Sequence, residues 1–221
     1  MESIDVIGAG RVGSAVAARL RERGVSVGSG EPDLVLLCVP DAAIAEVAAG
    51  SEPGPWLVHV SGATPLAALA PHERRFSVHP LQTFTRSRGP EQLDGAWAAV
   101  TGETAEAVEQ GMQLAELLGL RPFELADSAR TLYHAGAVFA SNYVVALQRA
   151  ASLLFESAGA PPDALEPLMR RTIENGFELT GPISRGDWAT VEAHRAAIRD
   201  ARPELDDLYE TLAGATVALA T

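Results

Sequence analysis

The sequence predicts an α/β N-terminal half, a mostly parallel sheet with crossover helices, followed by an all-α C-terminal half containing one long helix. Three observations carry this. Short apolar runs alternate with helical patterns as far as Leu125, the signature of parallel strands joined by helices. After Asp127 that alternation stops, and apolar residues recur at helical spacing. Between about Ala129 and Ala158 only Gly136 interrupts the helical pattern, which would make a rod roughly 45 Å long. The boundary is placed near Ala126–Ser128, giving domains 1–127 and 128–221.

Taken in order, Ile4–Ile7 reads as a first strand and Arg11–Arg23 as an amphipathic helix, with Gly24 placed as its C-terminal cap. Val25–Val27 is a brief second strand, and Leu34–Val39 a fully buried one stopped by Pro40, with Asp41 as the next N-cap. Trp56–Val60, Phe76–Val78, Trp97–Val100 and Leu120–Leu125 supply further strands, and a helix is expected from about Thr104 to Leu118. Gly159 and Pro161-Pro162 end the long helix. Helices near Asp163–Ile173, Asp187–Ala201 and Glu204–Ala218 follow.

Composition narrows the function. A net charge of −12 with scattered arginines argues against nucleic acid. No apolar run approaches the roughly 20 residues of a membrane span, so no membrane partner is expected. The start, Met-Glu-Ser-Ile-Asp, lacks the basic opening of a signal peptide, and Cys38 is the single cysteine; the cytosol is the expected compartment. The chain contains no lysine, which removes Schiff-base, P-loop and lysine acid–base chemistry. No pair among His59, His79, His134 and His194 has zinc-motif spacing, and no G-x-S-x-G elbow occurs, so neither a metal site nor a serine hydrolase is expected.

The chemistry-bearing motif is Gly8-Ala9-Gly10-Arg11-Val12-Gly13, lying between a predicted strand and a predicted helix. In that context Gly8 permits a tight turn, Gly10 lets a diphosphate approach the backbone, and Gly13 lets the helix pack on the sheet. The amides of Arg11 and Val12 would face the phosphates, aided by the helix dipole. The plainer alternative is a glycine turn that binds nothing. A dinucleotide site also expects an acid about 20 residues on, at the end of the second strand. Glu31 and Asp33 satisfy the count, but Asp33 already leads into the next strand. The usual helix and strand between them have no room, so the adenosine half looks truncated. Glu31 or Ser29 would contact a ribose or its phosphate, or serve only as turn residues.

Two later stretches fall at predicted strand ends, where open parallel sheets bind ligands. Val60-Ser61-Gly62-Ala63-Thr64-Pro65 ends one strand and starts a helix, making Ser61 a cofactor-binding candidate. His79-Pro80-Leu81-Gln82-Thr83-Phe84-Thr85 carries a histidine, a glutamine and hydroxyls without periodicity. It reads equally as a binding loop, with Gln82 toward substrate, or as a turn set by Pro80 with His79 capping a strand.

These motifs recur together with Cys38-Val39-Pro40-Asp41, with Tyr133-His134-Ala135-Gly136-Ala137-Val138-Phe139-Ala140-Ser141-Asn142-Tyr143, and with Leu179-Thr180-Gly181-Pro182-Ile183-Ser184-Arg185-Gly186-Asp187. The set resembles a bacterial family of Rossmann-like proteins, read as oxidoreductases, whose C-terminal domain has no assigned function. That family is similar in layout to pyrroline-5-carboxylate reductase and to the 6-phosphogluconate and β-hydroxyacid dehydrogenases. The resemblance implies an NAD- or NADP-linked fold with a helical, dimerising second domain, and places Val39 and Pro40 near the nicotinamide. It also implies that Asn142 matches the long-helix asparagine of the β-hydroxyacid dehydrogenases. Their catalytic lysine, four residues earlier, is Val138 here, so that acid–base mechanism is absent.

Hydride transfer to a C=O or C=N bond needs a proton donor, and histidine is the natural candidate where lysine is missing. His134 and Ser141 are seven residues apart, so on one continuous helix they differ in direction by only about 20°. The expected constellation is His134 as proton donor, Asn142 as polar positioner, His79 as a second contact and Ser141 toward substrate, in a cleft between the domains. Arg185 would clamp a substrate carboxylate, and Asp187 reads as an N-cap. The competing reading of His134 is a helix buried between subunits. The functional expectation is an NAD(P)-dependent oxidoreductase acting on a small anionic carbonyl or imine metabolite, as a homodimer. The alternatives are a non-catalytic ligand-binding or scaffolding protein, and a protein holding some other phosphate-bearing ligand at the glycine turn.

Overall fold

The computed structural model describes residues 1–28 and 30–220, so Ser29 lies outside the described residues. Seven strands form one sheet: β1 (Ser3–Ile7), β2 (Ser26–Val27), β3 (Leu34–Leu37), β4 (Trp56–His59), β5 (Arg75–Pro80), β6 (Trp97–Gly102) and β7 (Arg121–Glu124). Their spatial order is β2-β1-β3-β4-β5-β6-β7, parallel throughout except between β5 and β6. From β1 the chain steps to β2 on one side and then to β3 on the other, so the sheet reverses direction at β1. Ligands of open α/β sheets bind at that point, outside the carboxyl ends of the strands.

Alternation along the strands builds two cores. Ile4, Leu34, Leu36, Val58, Phe76 and Val78 face α1 (Arg11–Glu22) and α3 (Ala105–Leu117), whose Val16, Leu20 and Leu114 complete that layer. On the other face Leu37 and Leu57 pack with Ile44 and Ala48 of α2 (Ile44–Ala49) and with Leu66 and Leu69. Those last two lie in a 3-10 turn, Leu66–Leu69, where a full helix was expected. Gly24 does end α1, at φ +79°, and Thr104 caps α3 by accepting the Ala107 amide. Asp41 caps nothing; its carboxylate instead accepts the Ser61 hydroxyl at 2.8 Å.

His79 and Pro80 are strand residues of β5, paired with Ala99 and Ala98, and not the opening of a loop. The proline is tolerated because β4 has already ended there, leaving no neighbour on that side to need its missing N–H.

The chain divides into two compact units, Met1–Phe139 and Ala140–Thr221. The first extends past the expected boundary and includes nearly all of α4 (Arg130–Ala140). The second holds α5 (Asn142–Ser157), α6 (Leu165–Glu174), α7 (Trp188–Ala201) and α8 (Asp206–Ala220). The helical path after Asp127 is long, but Ser141 leaves helical geometry at φ −126°, ψ −72°, separating α4 from α5. The seven-residue arithmetic linking His134 to Ser141 therefore does not carry through. Asp187 caps α7 as expected, through the Thr190 amide.

By length and composition alone, Asp127–Ser157 is long and apolar enough to cross a membrane, which corrects the expectation of no such run. That expectation counted unbroken apolar residues, whereas the span qualifies on its average, which alanine and the aliphatic side chains raise and the polar residues only partly offset. The start of α4 is nevertheless committed to the sheet, because Arg130 is only 1% exposed there.

Candidate functional site

The glycine turn is built by contacts that only two of its glycines require. Gly8 sits at φ +111°, and a Cβ there would run into the Cys38 carbonyl. A Cβ on Gly13 would overlap the Gly8 carbonyl and stand 3.0 Å from Cys38 Cβ. Gly10 is different: a Cβ there meets nothing within 4 Å. Its missing side chain serves no internal packing, and it leaves open space beside the start of α1. No side chain caps that helix, so the first amides, Arg11 and Val12 among them, are not occupied by a protein cap. Val39 and Pro40 follow directly at the end of β3, where the Cys38 amide bonds the Ile7 carbonyl at 2.8 Å. Burial pushes the Cys38 thiol up to about 12, which keeps it protonated and unreactive.

A second feature at the turn was not legible. Arg11, Arg86 and Arg88 line one cavity of about 300 Å³ with Gly10, Ser14 and Thr85. The arginines look scattered in sequence, but the loop after β5 folds back along α1. Gln92, 2% exposed, holds that loop: its Oε1 accepts the Thr85 amide, and its Nε2 donates to the Arg88 and Gly89 carbonyls. Gln82 belongs to the same scaffold, donating to the Gln92 carbonyl at 2.9 Å and accepting the Thr83 amide at 2.8 Å.

The ends of β4 and β5 meet α4 in a polar cluster. Arg130 donates to Ser77 Oγ at 2.6 Å, to Thr101 Oγ1 at 2.9 Å and to the Ser61 carbonyl. The nearest carboxylate, Asp127, is 3.9 Å from its Nε and is itself bonded to the Leu66 amide. A guanidinium remains charged even when buried, so a fixed cation lies beneath the site, held by neutral oxygens. His59 is fully buried; its Nδ1 accepts the Ser61 amide, while Nε2 has no partner. Burial, then the Arg130 charge, lowers the His59 pKa to about 3.

His79 shares a 2.8 Å hydrogen bond between Nδ1 and the Tyr133 hydroxyl, and its ring lies edge-on to His134 with centroids 6.2 Å apart. Burial, then the neighbouring His134 and Arg130, brings His79 down to about 4, so its ring is neutral near pH 7. Burial also raises the Tyr133 hydroxyl to about 12, keeping its proton. Gly62 permits the pairing, since a Cβ there would stand 2.7 Å from His134 Cδ2 and 2.9 Å from His79 Nε2. Ser61 Oγ is engaged within its own turn, donating to Asp41 and accepting the Ala63 and Thr64 amides.

The fold thus brings together His79, His134 and Ser61, and adds His59, Arg130 and Tyr133. Ser141, Asn142 and Arg185 belong to the second unit, where the Ser141 hydroxyl donates to Asn142 Oδ1 and Arg185 is exposed in a 3-10 turn. His194 is bonded to Tyr209 of α8. Among the described residues, no three of His, Cys, Asp and Glu converge as metal ligands.

The family model described as a domain of unknown function, DUF2520, matches residues 96–216, more than half of the chain. The chain belongs to this family. The DUF2520 match begins just before β6 and so takes in Arg130, Tyr133 and His134. No functionally curated protein matches in sequence. In structure this DUF2520 chain is similar to the "putative NADP oxidoreductase" of Bacteroides fragilis, with 21% identity, 98% of each chain covered and a TM-score of 0.82. A Thermotoga maritima protein gives 24%, 98% of each chain and 0.78. The reductive aminase of Aspergillus terreus, in complex with NADPH and ethyl levulinate, gives 18%, 98% of this chain, 92% of that one and 0.66. At these identities the likeness shows the fold, a Rossmann-type architecture.

Proposed function

We propose that this DUF2520 protein is an NAD(P)H-dependent reductase of a small carbonyl or imine compound. The observation that carries the reading is the open space at Gly10, beside an uncapped helix start at the point where the sheet reverses. The turn fits a diphosphate: its backbone donors are unobstructed, and Arg11, Arg86 and Arg88 border it. The nicotinamide, when bound, supplies the hydride; the chain supplies placement and a proton.

Val39 and Pro40 flank the place where the nicotinamide would lie. His79, held by Tyr133, offers a neutral ring toward substrate, and half-buried His134 beside it is the proton donor. Arg130 does not touch the reacting atoms; its charge adds to burial, the larger cause, in holding His59 and His79 neutral, and it favours an anionic substrate. Within the second unit Val145, Leu168, Ile173, Phe177 and Trp188 are exposed apolar side chains, which a second copy of the chain would cover. The reading of a non-catalytic relative draws on the short link between β2 and β3.

A thermal-shift measurement with saturating NADH or NADPH tests the reading. Ligand at about 100 times its Kd should raise Tm by roughly 5–10 °C for a chain of this size. No shift with either would overturn it. A cofactor-dependent absorbance change with a carbonyl or amine–carbonyl panel, lost in His134→Asn, would then separate enzyme from scaffold.

A further inference from the structure

We infer that the adenosine end of this site selects a free ribose hydroxyl over a 2′-phosphate, so that the protein uses NADH in preference to NADPH. The inference rests on the dinucleotide reading above and concerns which form of the cofactor is taken.

The ribose of a dinucleotide lies beyond the end of the second strand, where an acid binds the hydroxyls or a cation receives a 2′-phosphate. Here β2 ends at Val27, and the connection to β3, residues 28–33, contains no cation. Of its two acids, Asp33 is already used. Its Oδ2 accepts the Glu2 amide at 2.7 Å and the Ser3 amide at 3.2 Å, which fixes it at the start of β1, away from the strand ends. Glu31 is exposed and free of that role.

Glu31 lines a cavity of about 750 Å³ with Asp5 and Ile7 of β1, the residue before Gly8, with Val35 of β3, and with the segment ahead of β4. Asp5 and Glu52 also line the cavity, and among the described residues no histidine or arginine does. The Oδ1 of Asp5 is buried without a hydrogen-bond partner. The walls therefore present acceptors and negative charge. Ribose hydroxyls are donors and suit such walls; a 2′-phosphate, with nearly two negative charges, is repelled by them. The basic residues near the turn line a different cavity, with Ser14 and Thr85.

The test is direct titration of the intact protein with NADH and with NADPH, followed by calorimetry or cofactor fluorescence. NADH is expected to bind at least ten-fold more tightly. Glu31→Arg places a cation on the exposed link and is expected to shift the NADPH-to-NADH affinity ratio at least ten-fold toward NADPH, with Tm unchanged. NADPH binding as tightly as NADH overturns the inference and leaves the dinucleotide reading standing. An unchanged ratio in Glu31→Arg overturns the assignment to Glu31. Binding of neither cofactor at millimolar concentration removes the dinucleotide reading itself, and the inference with it.

Discussion

Acidification between about pH 7 and pH 5 should destabilise the first unit through two histidines, one buried and one half-buried. His59 and His79 have folded pKa values of about 3 and about 4, both below the ordinary 6.5. Burial is the first cause of each, so the fold holds these rings neutral. The unfolded chain takes up protons first as pH falls, and stability present above about 6.5 is lost toward the folded values. At pH 5 each group costs about 2 kcal/mol, so the pair removes about 4 kcal/mol relative to pH 7. That is a large share of the 5–15 kcal/mol typical of a domain. The lowered carboxylates Asp33, Asp187 and Asp206 titrate below this window and do not confuse it. Urea denaturation at the two pH values, monitored by near-UV circular dichroism, measures the loss. His59→Asn keeps an acceptor for the Ser61 amide and removes one titration, so it should roughly halve the loss. A stability that does not change with pH, or an undiminished loss in His59→Asn, would refute the reasoning.

Two further expectations use the glycine turn and the helical unit. Gly13→Ala forces a methyl into the Gly8 carbonyl and should cost about 1–3 kcal/mol or more of stability in a denaturant melt. Gly10→Ala meets no protein atom and should leave the melt within about 0.5 kcal/mol, yet weaken dinucleotide binding at least ten-fold by calorimetry. Light scattering at micromolar concentration should give twice the 23.2 kDa of one chain; a monomer would show that the exposed apolar faces of the second unit have another role.

Local signals were read well where one element settles them alone. The glycine turn, the strand expected over Leu34–Val39 and observed over Leu34–Leu37, the glycine at the end of α1 and the cap at Asp187 all follow from backbone needs or periodicity. What escaped needed distant partners. Arg130 lies in a helical pattern where an arginine is usually solvated, and it is buried only because Ser77, Thr101 and Ser61 arrive from three other places. Tyr133 lies within a motif that gives it no role of its own; it acquires one only because β5 places His79 against it. Ser141 breaks the helical path without glycine or proline, so no residue-level signal marked the interruption. Gln92, holder of the arginine-bearing loop, carries no motif at all.

The two halves of the site follow from one topological fact. A sheet that reverses at β1 leaves the ends of β1 and β3 flanking a gap, and the glycine turn and Val39-Pro40 occupy its two lips. Continuing in one direction, β4 and β5 place His59 and His79 one and two strands farther along the same edge. A buried cation under those rings is costly unless polar groups surround it. Here hydroxyls and a carbonyl do so, although apolar packing would serve the fold alone as well. Retention of a buried charge at that position, with only Asp127 near it at 3.9 Å, makes sense if it acts on the histidines above it. The testable consequence is that Arg130→Met should raise the His79 pKa by NMR titration, because the like charge that opposes protonation is gone. An unmoved His79 would leave the arginine as scaffolding, and the case for chemistry at this edge would then rest on His134 alone.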